Sequence, residues 1–170
     1  DVQRRDQIES ALRGQLRDGE GLDLHFQPIL GNRGKVTGLE GLVRWEHPTL
    51  GSVAPGEIIP IAEECGVIDE LAHIVFRDAC RMAKRFPDLN VAVNISPLQF
   101  RAPRFAATLH AILEAEGVAA NQIELEITEG LFIEHGAPCG TTIQELRREG
   151  FRIALDDFGT GYSSLSCLRK

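Results

Sequence analysis

Two adjacent carboxylates, Asp156 and Asp157, follow the apolar run Arg152-Ile153-Ala154-Leu155 and precede the turn Phe158-Gly159-Thr160-Gly161. Like charges at neighbouring positions repel, so a bound cation would offset them. On a strand, alternation sends Asp156 to the face of Ala154 and Asp157 to that of Leu155, unless the strand ends between them. Gly159 and Gly161 permit a left-handed turn and let a ligand approach the backbone closely. The same residues also read as a plain strand-to-helix turn with Asp157 as the helix cap. The rest of the chain decides between the two.

Other oxygen donors recur at matching places. In Lys35 to Trp45 the period of two puts Glu40, Leu42 and Arg44 on one face. That is either the wall of a site or an exposed strand face with a Glu–Arg pair. In Val91 to Ser96, the residues Val91, Val93 and Ile95 oppose Ala92, Asn94 and Ser96. In Ile123 to Thr128, branched residues again separate from Glu124, Glu126 and Thr128. Glu40, Asn94, Glu126 and Asp156 together supply three carboxylates and one amide oxygen, a set that suits Mg²⁺ or Mn²⁺ and disfavours structural zinc. Asp157 offers a ligand for a second metal. Two ions about 3.5–4 Å apart can stabilise both oxygens of an in-line phosphoryl displacement. Arg44 is placed to pair with a phosphate. The pattern points to metal-assisted phosphodiester hydrolysis.

The elements that must position these residues are legible in order. Gln3 to Arg17 carries Ile8, Leu12 and Leu16 four apart, the stripe of an amphipathic helix that either caps the fold or continues a linker. We take residues 1–21 as this helix or linker and 22–170 as the domain. Leu22 to Leu30, ending near Pro28, and Lys35 to Trp45 form a hairpin around Gly31-Asn32-Arg33-Gly34. Helical spacing then runs from Pro55 to Gly66 and from Ile68 through Met82 until Pro87, with His73 a packing or surface residue. A helix with Phe105, Leu109, Ile112 and Leu113 closes at Gly117, and another around Ile143 and Leu146 ends at Gly150. Ser163 to Lys170 reads as the start of one more. Five strands alternating with helices predict an α/β fold of parallel βαβ units, with polar residues at strand C-termini facing a common axis. That is the catalytic end of a TIM-type (β/α) barrel.

Composition narrows the function. The chain is 43% hydrophobic and 25% charged, ordinary for a folded domain. A net charge of −7 argues against DNA or RNA polymers as partners. No apolar run approaches the roughly 18 residues that span a bilayer, and a cytoplasmic location is expected, whether or not the parent protein is tethered to a membrane. Cys65, Cys80, Cys139 and Cys167 are scattered and imply neither a zinc site nor a disulfide framework.

Phe26-Gln27-Pro28-Ile29, Glu40-Gly41-Leu42-Val43-Arg44-Trp45, Val93-Asn94-Ile95-Ser96, Glu124-Leu125-Glu126-Ile127-Thr128-Glu129 and Asp156 to Ser164 occur in an order that resembles the EAL-domain phosphodiesterases. The resemblance runs from about Leu22 to the last residue. It implies a TIM-type barrel with an antiparallel first strand, and cleavage of cyclic di-GMP to the linear dinucleotide with two Mg²⁺ or Mn²⁺ ions. It also implies that Glu40, Asn94, Glu126 and Asp156 hold the first metal, that Asp156 bridges to the second, and that Asp157 serves it. Glu40, Asp156 and Asp157 would then be the catalytic residues. Gln27, Leu42 and Arg44 resemble the substrate contacts. Glu129 resembles the residue that steadies the loop containing Phe158, Gly159 and Gly161, and that loop would form a homodimer face.

Two positions depart from the family pattern. Gly41 stands where alanine is usual, on the face opposite Glu40, so a modest backbone cost and no loss of a ligand are expected. Gly130 replaces a serine after Glu129. A barrel of this type takes about 250 residues, so the sequence is expected to carry the N-terminal two-thirds of one. The family's catalytic lysine in the next strand and a later metal-binding glutamate would lie beyond Lys170, which falls before the lysine motif. The expectations are therefore an active phosphodiesterase in the full domain, a non-hydrolysing cyclic di-GMP receptor, or an inactive piece of the enzyme. An upstream sensory or diguanylate cyclase domain is compatible with each.

Overall fold

A computed structural model describes residues 2–18, 21–128 and 140–156, with Asp18 and Asp156 described through their backbone only. Helix α1 (Val2–Asp18) leads into strands β1 (Leu22–Leu30), β2 (Val36–His47) and β3 (Gly51–Val53). Helices α2 (Pro55–Glu64) and α3 (Ile68–Arg85) follow, then β4 (Asn90–Ile95), α4 (Pro97–Phe100), α5 (Phe105–Glu116) and β5 (Ile123–Thr128). A helix described over 140–148, here α6, precedes β6 (Arg152–Asp156).

The strands form a mixed sheet in the order β1-β2-β4-β5-β6, with β3 pairing β2. The hairpin β1–β2 is antiparallel, and β2–β4, β4–β5 and β5–β6 are parallel. This is the α/β architecture expected of a (β/α) barrel whose first strand runs against the parallel strands β2, β4, β5 and β6. Six strands are described where five were expected. The additional strand, β3, pairs only Trp45–His47 of β2, and three residues opening on a glycine carry no periodic signal. The four-residue α4 is too short for one as well. β1 continues to Leu30 rather than ending near Pro28, because an edge strand tolerates a proline that donates no ladder hydrogen bond.

The branched faces of β4 and β5 supply the centre of the core. Val91, Val93, Ile123, Leu125 and Ile127 are all at most 1% exposed. They join Leu71, Phe76 and Ala79 of α3, Leu109 of α5 and Leu146 of α6 in one apolar cluster. At roughly 1.5–3 kcal/mol per fully buried large aliphatic side chain, this face, not the polar one, holds the strands in place. Gly117 ends α5 in the left-handed region, φ 67°, a conformation that costs glycine nothing.

Helix α1 belongs to the same packing unit. Ile8 and Leu12 are 1% and 0% exposed within the core cluster. Toward α2 and the residue that ends it, Arg4 pairs with Glu57 at 2.8 Å, Arg5 pairs with Glu64, and the Arg13 guanidinium donates to the Cys65 carbonyl at 2.9 Å. Among the described residues no helix is long and apolar enough to cross a membrane.

Candidate active site

The polar face of the sheet is built in layers. Antiparallel pairing sets Gln27 opposite Glu40, His25 opposite Leu42 and Asp23 opposite Arg44, so all six lie on one face of the hairpin. Parallel pairing then aligns Glu40 with Ala92, Ala92 with Glu124 and Glu124 with Arg152. One layer further toward the strand C-termini, Asn94 aligns with Glu126 and Glu126 with Ala154. Asp156 ends β6 a further layer on, in register with Thr128. The donors thus climb from Glu40 through Asn94 and Glu126 to the backbone position of Asp156. The small residues Ala92 and Ala154 lie in the intervening positions.

The climb is bridged by side chains. Asn94 donates its amide Nδ2 to Glu40 Oε1 at 3.1 Å, joining residues that are 54 positions apart. Asn94 is exposed, while Glu40 and Glu126 are half-buried, so this corner of the sheet is open to a solute. Arg44 is also half-buried and donates Nη1 to the carbonyl of Val43 at 2.9 Å. Glu40 and Arg44 form no ion pair among the described residues, so the simple Glu–Arg surface pair is not what this face presents. Gln27 is exposed and Leu42 half-buried beside these groups.

Among the described residues, no three His, Cys, Asp or Glu side chains gather tightly enough to hold a metal by themselves. Asp157, Glu129, Gly130, Phe158, Gly159 and Gly161 lie outside the described residues, as do Cys139, Cys167 and the stretch 163–170 read as the start of a helix. The donors that are described fit a hard divalent cation in kind. Glu40, Asn94 and Glu126 offer only oxygen from the carboxylates and amide carbonyl, and no thiolate or imidazole lies among them.

Several roles in this region escaped the sequence reading. Asp23 and His25 share the face of Leu42 and Arg44, a placement that follows only from the hairpin register. Ser96, 8% exposed, follows β4 and caps α4, accepting from the amide of Leu98 at 3.1 Å. The spacing Ser96-Pro97-Leu98-Gln99 is a capping-box signal that could have been found. On the reverse of β2, Gly41 leaves space that Leu24 fills. A Cβ there would lie 2.7 Å from Leu24 Cδ2. The cost of this glycine is thus offset by a packing contact, with Glu40 on the other face untouched.

Comparison with known proteins places this geometry in a family. Residues 9–170 match the family model described as EAL domain. The chain is 44% identical over 171 residues to an uncharacterized protein, y4lL, of Sinorhizobium fredii, covering 99% of this chain and 21% of that protein. It is 41% identical over 170 residues to the cyclic di-GMP phosphodiesterase NbdA of Pseudomonas aeruginosa, covering 96% of this chain and 22% of the relative. The chain therefore spans about a fifth of the length of these curated relatives. Among solved structures, it superposes on a chain described as PaMucR phosphodiesterase in complex with c-di-GMP. There the TM-score is 0.87 at 35% identity, over 95% of this chain and 68% of that one. The Pseudomonas aeruginosa FimX EAL domain, 20% identical, shares the fold with a TM-score of 0.84 over 95% of this chain and 66% of that one. An open polar corner built on a parallel sheet with an antiparallel first strand, and a family match across nearly the whole chain, lead to one conclusion: the chain belongs to the EAL domain family.

Proposed function

We propose that the protein carrying this chain hydrolyses cyclic di-GMP to the linear dinucleotide with Mg²⁺ or Mn²⁺. The observation that carries the reading is the Asn94–Glu40 contact at 3.1 Å, with Glu126 beside Asn94 in register. It gathers oxygen donors at one open corner of a domain whose relatives include a named cyclic di-GMP phosphodiesterase. Glu40, Asn94, Glu126 and Asp156 would hold one ion, and Asp156 and Asp157 a second. When bound, such a pair supplies an activated water and neutralises charge developing on the phosphoryl group. Arg44 binds a phosphate oxygen of the substrate through its guanidinium, and the half-buried Leu42 gives apolar contact to the dinucleotide. Gln27 contacts the substrate from the opposing strand. Glu129 steadies the loop with Phe158, Gly159 and Gly161, through which two copies associate.

The test is turnover of cyclic di-GMP by the full-length protein that carries this chain, with Mg²⁺ or Mn²⁺, with and without chelator. Linear product that disappears with EDTA is expected. Glu40→Gln should cut turnover by more than about 100-fold, since losing even an outer partner of a metal ligand costs about 10–100-fold. Binding of cyclic di-GMP without hydrolysis under these conditions would overturn the enzyme reading in favour of a receptor.

A further inference from the structure

Strand β4 is supported unevenly at the point where it matters. Its ladder with β2 ends at the Gly41–Val93 pair, so Asn94 lies past the last pairing on that side. On the other side it still pairs with Glu126 of β5. Beneath the divergence of β2 and β4, an apolar cavity of about 150 Å³ lies between Val43, Val93, Ile59, Leu71 and Phe76. The β2 ladder therefore does not clamp the strand at Asn94, and the cavity leaves the space between β2 and β4 there incompletely filled.

A polar anchor two residues on takes that role. Every polar group of Ser96 is committed. Its amide donates to Gln99 Oε1 at 3.1 Å, and its carbonyl accepts from the amide of Phe100 at 3.0 Å. Its Oγ accepts from the amide of Leu98, so the hydroxyl proton must go elsewhere, and it goes to Glu63 Oε1 on the last turn of α2. Gln99, 6% exposed, in turn donates Nε2 to the carbonyl of Ile68 at the start of α3, at 3.1 Å. The reversal after Asn94 is thus tied to α2 through Glu63 and to α3 through Gln99. Of these ties only the one to Glu63 is charge-assisted, roughly twice as strong as a neutral hydrogen bond.

We propose that Glu63 is a positioning residue for the candidate site: its carboxylate locks the Ser96 hydroxyl and so fixes the end of β4 that presents Asn94. The proposal rests on the reading of Asn94 as a metal ligand. An apolar side chain at position 63 would bury area equally well but would leave the Ser96 hydroxyl without an acceptor.

The experiment is Mn²⁺ binding to the full chain, followed by the EPR signal of free Mn²⁺, which needs no turnover. The variants are Glu63→Gln, Glu63→Ala, Glu63→Met and Ser96→Ala, each checked for folding by Trp45 fluorescence. Glu63→Ala, or Glu63→Met if the smaller residue fails to fold, should raise the half-saturating Mn²⁺ concentration about tenfold, the low end for outer partners. Glu63→Gln keeps an oxygen that accepts from Ser96 and should restore binding to within about threefold. In a Ser96→Ala background Glu63→Met should add nothing. At saturating Mn²⁺, kcat for cyclic di-GMP should fall with KM little changed. Folded Glu63→Met that binds Mn²⁺ like the wild type would overturn the positioning role and leave the proposed activity standing. Equal loss in Glu63→Gln and Glu63→Met would also overturn it. A wild-type chain that binds no Mn²⁺ would sink the metal-dependent reading itself.

Discussion

Replacing Gly41 with alanine probes how the strand that carries Glu40 is packed. An ideal Cβ at this position would lie 2.7 Å from Leu24 Cδ2, 3.2 Å from Leu24 Cγ and 3.5 Å from the Ala92 carbonyl oxygen. The last is ordinary contact, so the conflict is with one end of Leu24. Overpacking of this kind costs about 1–3 kcal/mol. A cavity of about 240 Å³ beside Leu24, lined by Phe26, Met82 and Arg85, lets that end turn away, so the lower half of the range applies. Gly41 has no positive φ, and alanine there regains about 0.5–1 kcal/mol by restricting the unfolded chain. The net cost expected for Gly41→Ala is about 0–1.5 kcal/mol. Leu24→Ala alone should cost about 2–3 kcal/mol, the low end for a buried leucine that borders a cavity. In the double variant the new methyl occupies space that Leu24 has vacated. Its cost should fall about 1–2 kcal/mol below the sum of the singles. Urea unfolding followed by Trp45 measures this cleanly, since Trp45 is the only tryptophan and is 0% exposed. Additivity within about 0.5 kcal/mol would refute the packing argument. Loss of Mn²⁺ binding in Gly41→Ala would refute the separation of the strand's two faces.

Other outcomes follow from single contacts. The indole Nε1 of Trp45 is buried and is the sole unpartnered side-chain polar atom of its kind among the described residues. Trp45→Phe removes a donor whose burial costs about 1–3 kcal/mol. Its net destabilisation by urea titration should therefore stay within about 1 kcal/mol, against about 3–5 for truncation to alanine. The Arg4 guanidinium holds Glu57 below the usual glutamate value of 4.5, chiefly through their hydrogen bond, and Lys84 does the same for Glu116. The stability these pairs contribute is full above that value and lost as pH falls through their lowered folded-state values. Arg4→Ala should accordingly be less stable than wild type at pH 7, with the difference closing in acid melts. Burial pushes the Cys80 thiol up to about 11, so iodoacetamide at pH 8 should spare Cys80 in the folded chain and label it in urea.

Local pattern determined much of this protein. The period of two along 91–96 and 123–128 separated the buried branched face from the face of Asn94 and Glu126, because one strand's alternation needs no knowledge of its neighbours. The hairpin, the long helices and the glycine stops were legible for the same reason, as was the family, through motifs that stand in order. Register, by contrast, belongs to pairs of strands. Only the tertiary structure decided that Glu40 lies one layer below Asn94 yet meets it. It also decided that β2 leaves β4 before Asn94, and that Leu24 fills the space over Gly41. The Glu63–Ser96 contact joins residues 33 positions apart, and neither residue signals the other in the chain. Such contacts depend on how far each strand slides past the next and where each helix comes to rest, and those are set by the whole core.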